Sequence, residues 1–126
     1  MNIIKAVIPA IITALILKLF VFDFIIAQGH SMEPSIMDGT VLIVNRIKYG
    51  LRLPFGNEFL INWAVPKPGE VAVFYTPDGE MAVKRCIMLT DLGGIHFEGD
   101  NGIASYDSRS YGPVNINSII GKVIGY

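Results

Sequence analysis

The sequence predicts a mainly β domain held behind one N-terminal transmembrane helix. Two observations predict it. The stretch Ile3–Ile26 is apolar apart from Lys5, Thr13, Lys18 and Asp23. Beyond it, short runs of β-branched and aromatic residues are set off by Gly, Pro, Asn and Asp, and no helix is read. The division expected is residues 1–27 as anchor and residues 28–126 as an extracytoplasmic β-domain. With 126 residues, 52% hydrophobic and 17% charged, the chain suits one small domain plus a membrane segment. A net charge of −1 leaves no basic field to hold nucleic acid. One cysteine, Cys86, excludes an internal disulfide, and with only two histidines it argues against a metal site. No cofactor is expected.

At helical rise, Ile3–Ile26 reaches ~36 Å, enough to cross a hydrocarbon core of ~30 Å with some tilt. Pro9 is tolerable in a membrane helix. Lys18 must snorkel to an interface, or the span ends near it. A cleavable secretory signal is the alternative, with Lys5 as its basic flank. Lys18 interrupting the run and bulky Ile25 two positions before Ala27 speak for an uncleaved anchor. Lys5 and the amino terminus precede the span, so the N-terminus is expected in the cytoplasm and the remainder outside it.

The stretch Gly29-His30-Ser31-Met32-Glu33-Pro34-Ser35 follows the anchor and is irregular, because Gly29 permits unusual backbone angles and Pro34 disfavours helix at Glu33. Asp38-Gly39 is a turn, and Thr40–Val44 reads as a strand. Arg46–Trp63 reads as irregular, punctuated by Gly50, Pro54, Gly56 and Asn57. Its Phe55, Phe59, Leu60, Ile61 and Trp63 form an apolar patch, either a small second core or a surface that dips into the lipid interface. Glu70–Tyr75 and Met81–Leu89 read as a hairpin around Pro77-Asp78-Gly79. Lys84 and Arg85 therefore point to opposite faces, one toward a site or core and the other toward solvent. Ile95–Glu98 is a short strand, Gly99–Asn101 a tight turn, and Val114–Tyr126 closes the domain with β-type residues.

Ser31 is a candidate nucleophile, and a serine hydroxyl needs a base to take its proton. One possibility is a histidine, His30 or His96, oriented by Asp100 or Asp107; the Gly-x-Ser-x-Gly elbow is absent. The other is a lysine kept neutral by burial. Lys84, flanked by Ala82, Val83, Cys86 and Ile87, is best placed for that. Lys48, Lys67 and Lys122 lie beside turns or glycines. The Ser-x-x-Lys pattern is absent, since Pro34 occupies the fourth position.

Three segments, in order, resemble the bacterial type I signal peptidases, membrane-anchored serine proteases with a Ser/Lys dyad. They are Ser31-Met32-Glu33-Pro34-Ser35, Val83-Lys84-Arg85, and Gly99-Asp100-Asn101 followed by Ser105-x-Asp107-Ser108-Arg109-x-x-Gly112-x-Val114. The resemblance implies a coiled β-sheet domain in which Ser31 attacks the scissile carbonyl and Lys84 is its general base. It implies that Ser105 orients the lysine, and that Asp107 and Arg109 pair to hold the supporting loop. Met32 and Ile36 are matched to the wall of a shallow pocket for small side chains, though plain core packing would place them similarly. Gly29 stands where some members carry a serine that donates to the oxyanion. Ser35 replaces the usual threonine. Cys86–Asp91 differs from the family's Gly-Leu-Pro-Gly-Asp turn, and no accessory β-domain fits between Arg85 and Gly99. The expected partners are the bilayer and preproteins with small residues at the cleavage site. A dedicated maturation peptidase, or a non-catalytic domain binding extended peptides by strand addition, are the alternatives.

Overall fold

The computed structural model describes residues 2–53 and 58–126. Helix α1 (Ile3–Ile16), capped by the Asn2 side chain, passes into a π-helical turn at Leu17–Val21. The combined segment of 19 residues is long and apolar enough to cross a membrane. No residue of it is buried by the rest of the chain. Pro9 sits inside the helix, and the Thr13 hydroxyl donates to its carbonyl at 2.9 Å.

The helix expected as far as Ile26 ends at Val21. Phe22–Ile26 is strand β1, inside the stretch assigned to the anchor from sequence. Its aromatic and β-branched residues favour a pleated surface. It also pairs with β2 (Val41–Asn45) along its whole length, from Phe22 opposite Asn45 to Ile26 opposite Val41. Asp23 is the residue that a helix would have carried into the bilayer. In β1 it instead meets Lys18 and Arg46.

The domain is mainly β. Strands β3 (Gly50–Arg52), β4 (Phe59–Asn62), β5 (Val71–Tyr75), β6 (Met81–Leu89), β7 (Ile95–Glu98) and β8 (Ile119–Gly125) complete it. Six strands form one antiparallel sheet in the order β1-β2-β8-β5-β6-β7. The β5–β6 hairpin closes with Gly79 at φ +84°, a left-handed angle that suits glycine. Two expectations are corrected. Arg46–Trp63, read as irregular, contains the β3–β4 hairpin. It was hidden because its strands are short and Gly50 marks a close approach, not a break: a Cβ there would lie 2.2 Å from the Ile61 carbonyl oxygen. The one-turn helix α2 (Ser108–Tyr111), where none was read, is nucleated by the Asp107 side chain accepting from the Arg109 N–H. Phe55 lies outside the described residues, as do Pro54, Gly56 and Asn57. Phe59 turns inward, against the core and 5.4 Å from the Arg52 guanidinium, while Leu60, Ile61 and Trp63 stay exposed.

The core lies in two clusters. Met32, Ile36, Leu42, Val44, Val73 and Val123 make one, and Tyr49, Phe74, Cys86, Ile95, Phe97 and Ile119 the other. In β2 the alternation is clear: Leu42 and Val44 are buried, Val41 and Ile43 exposed. Because every neighbouring pair in the sheet is antiparallel, β1 and β6 run in the same direction. β1 has one neighbour, so its outer edge is bare. β6 pairs with β7 only from Arg85 to Leu89, so its Met81–Lys84 half is bare on that side.

Candidate functional site

The two bare edges meet at a groove of about 740 Å³, bounded on one side by Phe24–Gln28 and on the other by Met81–Lys84. Ser31, Met32 and Ile36 line the end at which both strands point. Ser31 arrives there on a turn. Gly29 takes φ +87° and donates its N–H to the Asp38 carboxylate at 2.8 Å. Asn101 then pins the loop: its backbone N–H donates to the Ser31 carbonyl at 2.8 Å, and its side-chain amide donates to the His30 carbonyl at 3.1 Å. Among the described residues no acceptor takes the Ser31 N–H.

Lys84 comes from the middle of β6, and its Nζ lies 2.7 Å from Ser31 Oγ. It is 7% exposed, and burial holds its pKa below the ordinary lysine value, partly opposed by the Asp107 carboxylate. Arg85 leaves the strand on the other side, as alternation requires. It does not simply face solvent: its Nε and Nη2 grip both Asp100 oxygens, at 2.9 and 2.8 Å, and Nη1 donates to the Gly69 carbonyl at 2.8 Å. Strand β6 thus carries the amine that meets Ser31, and beside it the guanidinium that fixes the next loop.

Asp107 is fully buried. It accepts from the Gly99 N–H at 2.8 Å, the Ser105 hydroxyl at 2.6 Å, the Arg109 N–H at 3.1 Å, and Arg109 Nε and Nη2 at 3.0 and 2.6 Å. Burial pushes its carboxyl up. The bonds from Arg109, Ser105 and Gly99 outweigh that and hold it well below the usual carboxylate range. The Ser105 hydroxyl goes to Asp107, and no bond from it to Lys84 exists among the described residues. Gly99 is compact for a reason: a Cβ there would stand 2.2 Å from Ser105 Oγ and 2.6 Å from the Ser31 carbonyl oxygen. Met32 and Ile36 are buried in the first cluster and also line the groove end, so wall and core packing are one arrangement.

The histidines go elsewhere. His30 pairs with Glu33, and His96 Nε2 lies 2.8 Å from Glu98. Neither is bonded to Ser31. Sequence reading left Asn101 and the Arg85–Asp100 pair without roles. The Gly99-Asp100-Asn101 turn was the signal that could have found them. Among the described residues no group of His, Cys, Asp and Glu is arranged to hold a metal.

The family profile described as "Signal peptidase, peptidase S26" matches residues 1–90, a span that takes in Ser31 and Lys84. The chain belongs to the signal peptidase S26 family. It is similar to Signal peptidase I of Bacillus caldolyticus, 28% identical over an alignment 145 residues long, gaps included, that covers 85% of this chain and 80% of that protein. Signal peptidase I of Pseudomonas fluorescens is 28% identical over 123 residues, covering 96% of this chain and 40% of that protein. Signal peptidase I of Buchnera aphidicola subsp. Baizongia pistaciae (strain Bp) is 29% identical over 83 residues, covering 64% of this chain and 27% of that protein. The length of S26 relative matched therefore ranges from about a quarter to four fifths.

Proposed function

We propose that this S26 chain is a membrane-bound serine endopeptidase that removes N-terminal signal peptides from exported preproteins. The observation that carries the reading is the buried Lys84 amine at 2.7 Å from the Ser31 hydroxyl, in a groove with two bare strand edges. An extended substrate adds as a strand between β1 and β6, running parallel to both, and its backbone bonds each edge. The wall of Met32 and Ile36 takes small side chains next to the scissile bond.

Ser31 Oγ attacks the scissile carbonyl and its proton passes to neutral Lys84 Nζ. The oxyanion accepts from the Ser31 N–H. The Lys84 ammonium then protonates the leaving amine as the C–N bond breaks, leaving an acyl ester on Ser31. Neutral again, Lys84 takes a proton from a water that attacks the ester, and returns it to Ser31 Oγ as the acid product leaves. Asp107, Arg109 and Ser105 act through the loop that positions these groups. Ile3–Val21 is the anchor, with the N-terminus in the cytoplasm and the sheet outside.

A pH–rate profile for a lipid-embedded preprotein tests the base. Only the neutral amine accepts a proton, so cleavage rises with pH through an apparent pKa below the ordinary ~10.4 of lysine and is lost as pH falls. A rate that does not fall toward acid pH would remove Lys84 from the role.

The exposed Leu60, Ile61 and Trp63 of the β3–β4 hairpin are suited to the lipid interface. Trp63 is the sole tryptophan. In vesicles of lipids brominated near the headgroup, its fluorescence is expected to be quenched; unquenched emission would assign the hairpin to water.

A further inference from the structure

Two faces border the groove. On β6, Val83 packs with Ile25 of β1 against the first core cluster, while Ala82 packs with Tyr111 of α2 against the second. Neighbours on a strand point to opposite faces, so an extended chain between β1 and β6 sends successive side chains to the two faces in turn. The first face ends in the wall of Met32 and Ile36 beside Ser31. The second carries a residue that takes no part in proton transfer, Tyr106.

Tyr106 lines the groove together with Ala82. Its ring stands edge-on to Tyr111, with centroids 5.0 Å apart and planes at 71°, which mounts it on the second cluster. Its neighbours in sequence hold it in place: the Ser105 hydroxyl donates to Asp107 at 2.6 Å, and Asp107 is fully buried. The Tyr106 hydroxyl donates to Asp78 Oδ2 at 3.4 Å, at the tip of the β5–β6 hairpin. Tyr106 is still 57% exposed, so its aromatic surface is open to a chain in the groove.

The same end of the groove is acidic. Glu80 lines it, and the Tyr106 phenol is pushed up, first by the Asp78 charge and in smaller part by that of Glu80. The hairpin tip that carries both carboxylates is closed on itself. The Thr76 N–H donates to the Glu80 carbonyl and the Gly79 N–H to the Thr76 carbonyl, each at 2.8 Å, and the Glu80 N–H donates to the Thr76 hydroxyl at 3.2 Å. Neither carboxylate enters an ion pair among the described residues. An aromatic face beside two unpaired carboxylates suits a cation on an apolar stem, the combination that lysine and arginine offer. Position along the groove follows from the strand. Glu80 precedes Lys84 by four positions, and a substrate parallel to β6 has the same rise, so Glu80 is level with about the fourth residue before the scissile bond. The residue next to that bond faces the Met32–Ile36 wall, and alternation then turns the fourth toward Tyr106.

We propose that Tyr106, Asp78 and Glu80 form a second specificity surface of the groove, which selects lysine or arginine at the fourth residue before the scissile bond. The stem lies on the Tyr106 ring and the charged head reaches the two carboxylates. This inference rests on the peptidase reading. The three are specificity-determining residues, and none of them touches the reacting atoms.

The full chain is reconstituted in phosphatidylcholine vesicles with preproteins that differ only at that fourth residue, lysine in one and glutamate in the other. A second pair carries the same two residues at the fifth position, which faces the other way. The readout is the ratio of kcat/KM for lysine over glutamate. Wild type is expected to prefer lysine about tenfold at the fourth position, with the preference shrinking as salt is raised. Glu80→Gln is expected to lower the ratio about twofold to threefold, and Tyr106→Ala to lower it by a similar factor. Asp78→Lys combined with Glu80→Lys is expected to invert it. That inversion is a gain of cleavage on the glutamate substrate, which a merely structural role or a damaged fold would not produce. A wild-type ratio near one, an equal ratio at the fifth position, or a ratio that none of the variants moves would overturn the proposal. Absence of wild-type cleavage of every preprotein would instead overturn the peptidase reading.

Discussion

Replacing Ser31 by alanine, or Lys84 by methionine, is expected to lower preprotein cleavage by at least about a thousandfold, with the fold kept. The two act as one unit, so the double variant should lose little more than either alone. Methionine fills the volume of the lysine stem and removes a polar head that burial disfavours, so Lys84→Met is expected to unfold at the same temperature or higher. Ser31→Ala removes the hydroxyl bonded to the buried Lys84 amine and should cost about 1 kcal/mol of stability. His30→Ala and His96→Ala are expected to retain cleavage, since their partners are Glu33 and Glu98. Cleavage of a reconstituted preprotein, followed beside thermal unfolding, checks all of these. Substantial turnover by either dyad variant would sink the mechanism, and loss in a histidine variant would redirect it.

Asp107→Ala is expected to cost about 2–4 kcal/mol of stability and most of the activity. The carboxylate collects the Gly99 N–H, the Ser105 hydroxyl and the Arg109 fork in one place. Without it the buried Gly99 donor is orphaned. Arg109 is partly exposed and can be solvated, which keeps the loss moderate. The activity loss follows because Gly99 touches Ser105 and the Ser31 carbonyl, and Asn101, two residues on, holds the Ser31 loop. The same group gives a pH signature. Its folded-state pKa lies below its unfolded value of ~3.9, so below that pH the unfolded chain takes up a proton that the folded chain does not. The stabilisation is complete above ~4 and is lost as pH falls toward the folded-state value. Asp107→Asn should flatten this acid slope in a urea titration series; an unchanged slope would assign acid sensitivity to other carboxylates.

Much of this arrangement was legible in the residues. The β-former runs announced β2, β5, β6 and β7, each with turn residues on both sides, while the C-terminal run Val114–Tyr126 holds β8 behind a 3-10 turn at Ile116–Ser118. Alternation along β6 was enough to send Lys84 and Arg85 in opposite directions. What stayed hidden was tertiary. The apolar run carries no mark at Val21, because the same residues suit a membrane helix and a sheet edge, and the choice is made by pairing with β2 and by Asp23 meeting Lys18 and Arg46. The β3–β4 hairpin depends on a close approach at Gly50. Ser105 was matched to the lysine by family pattern, while its hydroxyl goes to Asp107 two residues away. Asn101 is invisible as a clamp until the Ser31 loop is folded beside it.

The groove lies between two bare strand edges that run the same way. A segment entering it has both of its own edges occupied, so it must come alone. A strand already paired in a hairpin or sheet has a neighbour where β1 or β6 would have to be. Folded domains, including the exposed strands of another copy of this chain, are shut out by geometry, whatever their sequence. Only chain that has not yet folded, or never folds, fits. On the peptidase reading proposed above, an arrangement that receives an extended backbone would also shield the two edges from aggregation and let the enzyme spare finished proteins.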